Sequence, residues 1–319
     1  MKRPDEAEGV GHAGLRSSSQ RASRPDEAEG VGHAGLRSSS QRASRPDEAE
    51  GVGHVSGAQG RAQGILVAHD GSAVCQDLVA TARALGQAAG WPLRVLQVAQ
   101  GGESAACQAS HPDIELEYAS GDPLTAILRV ASEPDIGVVA LGLRSDERAG
   151  LGHVARQLVE KARRTLLVMR PGMRPVQELR RILVPMEGSP STSAAMQVAE
   201  EHFCRRGREI VMVHVVTGAT PTEPGSMPAP RFMDQEHYEW VEWQQEFCMR
   251  FSQCSKGGRH RVCVRVGEPG PTILTEAQEV RAELMVLSWR GKMGPGQAER
   301  VKLLLAESPC PLLLVSQAA

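Results

Sequence analysis

The chain has 319 residues, 41% of them hydrophobic, and its 36 basic and 38 acidic residues leave a formal net charge of -2. That length allows two domains of ordinary size. The near-balanced charge provides no global basic field to recruit nucleic acid or anionic lipid, and a stock of only four Trp, two Tyr and four Phe argues against base-stacking platforms. No run approaches the roughly 18–20 apolar residues of a membrane span, so direct membrane insertion is not expected. The opening residues, Met1 to Gly9, hold no apolar stretch for a signal peptide. Seven cysteines (Cys75, Cys107, Cys204, Cys248, Cys254, Cys263 and Cys310) are scattered and odd in number, with no Cys-x-x-Cys pair. The expectation is reduced thiols and a cytoplasmic protein.

Residues 3–23 read RPDEAEGVGHAGLRSSSQRAS, residues 24–44 repeat them letter for letter, and 45–54 begin a third copy. Each copy has only Val and Leu as large apolar residues. Such a segment buries too little to offset its chain entropy, so residues 1–61 are expected to be a disordered tail. A tether or a modification site at Arg37-Ser38-Ser39-Ser40 is one reading. Recent duplication of coding DNA, or a start codon placed too early, is the reading that letter-perfect identity favours.

Beyond the tail, one cassette occurs twice. Gly64-Ile65-Leu66-Val67-Ala68-His69-Asp70-Gly71-Ser72 returns as Arg181-Ile182-Leu183-Val184-Pro185-Met186-Glu187-Gly188-Ser189. Each copy is an apolar run, an acidic residue, Gly-Ser and then a helix-like segment. In the first domain, residues 62–172, strands are expected at Ile65–Ala68, Leu93–Val98, Ile114–Tyr118, Ile136–Leu141 and Leu166–Met169. Helices are expected over Val74–Ala89, Asp122–Ser132 and Val154–Arg163. Arg170–Leu179 reads as a linker. In the second domain, residues 173–319, the strands are Ile182–Val184, Ile210–Val215, Arg261–Val266, Leu284–Leu287 and Leu312–Val315. Its helices are Thr192–Cys204, Thr272–Val280 and Ala298–Ala306. Strands alternating with helices imply parallel pairing with helices on both faces, hence two tandem doubly wound α/β sheets. The copies differ most between strands two and three, where the second carries an insert over 217–258. Within it Trp240, Trp243, Phe247 and Phe251 fall on one helical stripe. Either that stripe covers the second sheet, or part of it packs on the other domain or another chain.

On these residues the chain resembles the universal stress protein family in its tandem form, over about residues 62–319. The carriers are the ILVA-H-D-GS and ILVP-M-E-GS openings, the turns Gly121-Asp122-Pro123 and Gly267-Glu268-Pro269, the strand-four runs and the ending Ser308 to Val315. The resemblance implies a five-stranded parallel sheet in the order 3-2-1-4-5 in each domain. It also implies a cytoplasmic, stress-related role, frequent dimers, and ATP binding in some members only.

In a doubly wound sheet the ligand crevice lies beyond the carboxyl ends of strands one and four, which is where Asp70 and Glu187 stand. By the resemblance, an Asp there meets the adenine or ribose side of a nucleotide, and the backbone after strand two, here Val98 and Val215, lines the base. The family's phosphate loop runs Gly-x-x-Gly, nine residues, then Gly-Ser or Gly-Thr at a helix start, where backbone N–H groups and the helix N-terminus favour anions. Both loops here depart from it. In the first, Gly142 opens the pattern, but Ser145 replaces the second Gly, six residues lead to Gly152, and His153 follows. In the second, Ser288 replaces the first Gly, only four residues separate Gly291 from Gly296, and Gln297 follows. The candidate nucleotide site is therefore Asp70, Val98, Gly142, Gly152 and His153, with a degenerate second site at Glu187, Val215, Gly291 and Gly296. Arg144, Arg148 and His153, or Arg290 and Lys292, could hold a smaller anion.

Other chemistry finds little support. His202 and Cys204 point apart on a helix and make a poor metal pair. Ser72 and Ser189 lack a Gly-x-Ser-x-Gly elbow and read as helix N-caps. His69, at a strand end, has Met186 as its counterpart, and no P-loop occurs. The expected function is a non-enzymatic regulatory or interaction protein of the stress response, its two lobes packed as an internal pseudo-dimer. One alternative is a weak ATP- or AMP-binding switch through the first domain. Another is a soluble lobe that serves a membrane transporter or channel. No metal is expected, and no nucleic-acid partner; a homodimer is compatible with the reading.

Overall fold

The computed structural model describes residues 64–99, 116–143, 153–161, 164–217, 224–227, 238–252, 257–291 and 298–316. The expectations for the tail, 1–61, lie outside the described residues. The chain divides into two units, 1–56 and 57–319, and the folded elements described belong to the second.

The first lobe runs β1 (Gly64–His69), α1 (Ala73–Ala89), β2 (Leu93–Ala99), β3 (Leu116–Ser120), α2 (Pro123–Ala131), β4 (Ile136–Gly142), α3 (His153–Lys161) and β5 (Thr165–Met169). The second runs β6 (Arg181–Pro185), α4 (Pro190–Val198), β7 (Glu209–Val216), α5 (Tyr238–Phe251), β8 (Arg259–Val266), α6 (Pro269–Glu279), β9 (Leu284–Trp289), α7 (Glu299–Glu307) and β10 (Leu312–Ser316). The helix expected over Thr192–Cys204 is α4, starting at Pro190 and closing in a π turn over Ala199–Phe203.

The first strand of each lobe carries an uninterrupted apolar run because both faces are covered: Ile65, Leu66 and Val67 are fully buried, as are Ile182, Leu183 and Val184. Helices start where local chemistry supplies a stop. Asp122 accepts hydrogen bonds from the backbone N and the hydroxyl of Thr125 at 2.9 and 2.7 Å, and Pro123 opens α2. Ser72 and Ser189 occupy N-cap positions, but neither side chain makes a cap bond; Ser189 Oγ lies 3.0 Å from Ser191 Oγ instead.

The strand order is β3-β2-β1-β4-β5-β10-β9-β6-β7-β8. Each lobe thus has the order 3-2-1-4-5, but two separate sheets do not form. They merge into one ten-stranded sheet through β5 and β10, which pair antiparallel with Leu167 opposite Leu313. The cause is the composition of these strands. Leu166, Leu167, Val168, Met169 and Leu312 to Val315 are all buried, and either strand left as an edge would present apolar side chains and unpaired backbone to water. Within each lobe the strands are parallel, so the antiparallel seam points the carboxyl ends of the two lobes to opposite ends of the sheet.

The faces beside the seam are joined as well. Trp91, after α1, packs edge-on against His202 and Phe203 at ring distances of 4.7 and 5.7 Å. Arg208 donates to Ala88 O at 3.2 Å, Val176 N donates to Thr81 Oγ1 at 3.0 Å, and Trp289 Nε1 donates to Val159 O at 3.1 Å. The expectation of reduced thiols fails at one position. Cys204 is disulfide-bonded, while Cys75, Cys248, Cys263 and Cys310 are free. Its place in the buried wall beside the π turn, 1% exposed, explains why spacing along the chain did not reveal it.

The shared seam predicts that the two lobes unfold together. Leu313→Ala, which removes a side chain 1% exposed, is expected to cost about 2–5 kcal/mol. Urea denaturation followed by circular dichroism should show one transition moved to lower denaturant; two transitions with only one displaced would contradict the coupling.

Candidate functional site

The first crevice lies beyond the carboxyl ends of β2, β1 and β4. His69, opposite Gln97 of β2, ends β1 and is buried; its Nδ1 accepts from Gly71 N at 3.1 Å and so holds the turn. Asp70 is exposed, and its Oδ1 accepts from Ser72 N at 2.9 Å and from the Cys75 thiol at 3.1 Å. Val98, half-buried, is the penultimate residue of the neighbouring strand β2. Gly142 ends β4 where the backbone passes close to α1: a Cβ there would stand 2.8 Å from Val74 Cγ1 and 3.8 Å from Cys75 Sγ. The fold therefore brings Asp70, Val98 and Gly142 to one strand-end rim. His153 is exposed at the start of α3. It stands near enough to Asp122 to help hold that carboxyl below the usual aspartate value, behind the Thr125 hydrogen bonds. Gly152, Arg144 and Arg148 lie outside the described residues.

Cys75 is buried, and desolvation pushes its thiol up to about 12, with the Asp70 carboxylate adding to the rise. It is a protonated donor, not a nucleophile.

The second crevice is built differently. Glu187 is exposed like Asp70, but its longer side chain reaches an ion pair with Arg300 in the first turn of α7. A pair so exposed contributes little stability, at most about 1 kcal/mol; what matters is where it holds the carboxylate. Gly188, at φ +75, lies under a roof from the insert. A Cβ there would meet Met227 O at 3.3 Å, Phe247 Cε2 at 3.5 Å and His214 Cε1 at 3.8 Å. Met227 N donates to Gly188 O at 2.7 Å. Trp243 and Phe247 lie 5.0 and 5.6 Å from the His214 ring, and Phe251 continues the stack at 4.9 Å from Phe247. The stripe on α5 thus covers the second lobe's own sheet; the side chain of Trp240 lies outside the described residues. Val215 is half-buried beside His214. Gly291, after β9, turns toward the first lobe, its Cβ position 3.9 Å from Glu160 O. Gly296 and Lys292 lie outside the described residues.

His214 was not singled out by sequence, though an imidazole inside an apolar run, Ile210–Val216, marks it. It is the counterpart of Gln97, is 4% exposed, and its Nδ1 meets Met186 O at 3.0 Å. Its Nε2 has no hydrogen-bond partner among the described residues. Burial pushes the imidazole below its ordinary value of 6.5, against the pull of the Met186 carbonyl. Cys75 and Arg300 were also missed. Cys75 lies on the crevice-facing first turn of α1, whereas Arg300 comes from 113 residues beyond Glu187 and left no local signal. His202 and Cys204, near in sequence, go to separate partners, Trp91 and the disulfide.

A pair of doubly wound α/β lobes with rim sites at the strand ends is the class this architecture defines. Residues 178–316 match the model of the Universal stress protein family. A universal stress protein from Archaeoglobus fulgidus superposes with a TM-score of 0.53 at 14% identity, covering 81% of this chain and 100% of its own. A functionally unknown protein from Pseudomonas aeruginosa does so with a TM-score of 0.51 at 12% identity, covering 80% and 92%. No curated protein matches the chain. The second lobe thus matches the universal stress protein family, and the first lobe has the same strand order.

The buried imidazole sets a pH dependence. With its folded pKa depressed, His214 is neutral in both states above about pH 6.5. Below that the unfolded chain takes up the proton first, so stability present above 6.5 is lost as pH falls towards the folded value. His260, which burial also pushes down, adds to the slope. Urea midpoints at pH 7.5 and 5.5 should show the lower stability at 5.5, and His214→Gln should flatten the difference; equal midpoints in the wild type would overturn the assignment.

Proposed function

We propose that this chain is a regulatory protein of the stress response with a single small-molecule crevice, in its first lobe, that takes a nucleotide of the AMP class. The second lobe acts as a built-in subunit partner. One observation carries the reading: the two copies of the rim are unequal. Asp70 stands exposed on a rim held by its own lobe, whereas Glu187 is drawn to Arg300 and the turn behind it is roofed by Met227 and Phe247.

The preference for a monophosphate comes from the loop. Six residues between Ser145 and Gly152 leave too little chain to wrap a triphosphate, so recognition falls mainly on the nucleoside end. An ionised carboxylate is acceptor-only, which suits a sugar hydroxyl or an exocyclic amine. The lobes stand to each other as the subunits of a dimer, joined through the β5–β10 seam in place of a surface contact. A non-enzymatic role is favoured by the surroundings of the rim. His69 is spent on the Gly71 backbone, and the Cys75 thiol is protonated throughout the physiological range.

Titration calorimetry of the full chain with AMP and with ATP tests this. The expected result is one site per chain for AMP, with Asp70→Ala weakening it roughly ten- to a hundredfold, the range of a lost hydrogen bond to a charged group. Glu187→Ala should leave it unchanged. Two sites per chain, or loss on Glu187→Ala and not on Asp70→Ala, would overturn the reading.

A further inference from the structure

We propose that Cys75 is a positioning residue of the first crevice: its thiol donates to Asp70 and fixes the carboxylate toward the ligand. This rests on the nucleotide reading above and deepens it.

Three contacts place the sulfur. It lies 3.1 Å from Asp70 Oδ1, 3.5 Å from Ser72 Oγ, and 3.8 Å from where a Cβ on Gly142 would stand. It therefore sits beneath the rim between the acidic end of β1 and the glycine end of β4, and is 1% exposed. Ser72 N donates to the same Oδ1 at 2.9 Å. Two donors converging on one oxygen restrict rotation of a short side chain that is otherwise at the surface. A thiol is a weak donor, and at the surface water would outcompete it. Here the thiol itself is buried, so water does not reach the donor side of the bond.

The second lobe shows what happens without the thiol. Aligning the two cassettes puts Thr192 where Cys75 stands. Its hydroxyl donates back to Ser189 O at 2.8 Å, and Glu187 goes instead to Arg300. One chain thus holds both arrangements: an acid tied to its own turn, and an acid with no such tie that has been drawn to another element. The one-methylene difference between Asp and Glu helps separate them, since the longer side chain carries its carboxylate away from the helix turn.

The test uses the full chain in four forms: wild type, Cys75→Ala, Cys75→Ser and Asp70→Ala, with AMP as probe. Melting curves without ligand first establish that each variant folds. Cys75→Ala is expected to weaken AMP about three- to tenfold, the range for one lost hydrogen bond from a weak donor. Cys75→Ser, whose hydroxyl also donates, should stay within about twofold. Combined with Asp70→Ala, Cys75→Ala should add nothing, because its effect passes through that carboxylate. Unchanged affinity in Cys75→Ala, or simple additivity with Asp70→Ala, overturns the proposal.

A second measurement separates its failure from failure of the nucleotide reading. Followed by NMR without ligand, the Asp70 carboxyl titration should move upward in Cys75→Ala and stay in Cys75→Ser. If wild type binds no AMP yet this shift is seen, the nucleotide reading falls and the positioning role stands. If the titration does not move, the positioning role is wrong whatever binds.

Discussion

Two strands that cannot be left at an edge govern this molecule. β5 and β10 are buried along their length, and each ends a parallel sheet whose other strands are already paired. A parallel sheet of this type is stable only when covered on both faces, and its last strand still offers a row of backbone donors and acceptors. Because β5 and β10 occupy the same place in two copies of one unit, they meet as a self-complementary pair, antiparallel, as a two-fold contact requires. The linker, Arg170–Leu179, then becomes part of the wall: Arg170 donates to Ser308 O at 3.0 Å, and Met173, Val176 and Leu179 are buried. The opposed directions of the two crevices follow from that one pairing.

Joining the lobes in one chain lets them diverge. In a dimer of identical subunits any change to one rim is a change to both. Here the second lobe took an insert whose aromatic residues fill the space behind Gly188. Trp243, Phe247 and Phe251 are each less than a tenth exposed, and they enclose an imidazole whose charged form the surroundings disfavour. Apolar burial on that scale is worth several kcal/mol, of order 1.5–3 kcal/mol for each large side chain. An open, polar crevice could not provide it. The first lobe kept a polar rim of smaller parts: a buried histidine holding a turn, a thiol holding a carboxylate, and a glycine where a strand meets a helix.

Much of the architecture was legible from the residues. The doubled cassette, the apolar runs and the alternation of strand and helix identify two doubly wound units, because burial on both faces writes itself into consecutive residues. Gly121-Asp122-Pro123 marks a helix start for a local reason, a side chain reaching three residues ahead. The stripe at Trp243, Phe247 and Phe251 also reads directly, since helical spacing places those rings on one face. The merging of two sheets was not legible: nothing in Thr165–Met169 or Leu312–Ser316 says which way a partner strand runs. The disulfide at Cys204 was hidden because pairing depends on where chain segments meet, and spacing in sequence does not report that.

For the candidate site the division is sharper. The sequence by itself determined that an acidic residue ends the first strand of each unit, that a glycine ends the fourth strand in the first, and that neither following loop matches a triphosphate cradle. These are properties of short segments, set by bonds and spacing along the chain. Only the tertiary structure decided that the two acids face different surroundings. Glu187 meets an arginine 113 residues away and stands beside a turn roofed by a distant helix, while Asp70 is tied to its own turn by Cys75. The reason is that a side chain's partners are fixed by packing between elements, and packing depends on every residue of the fold at once.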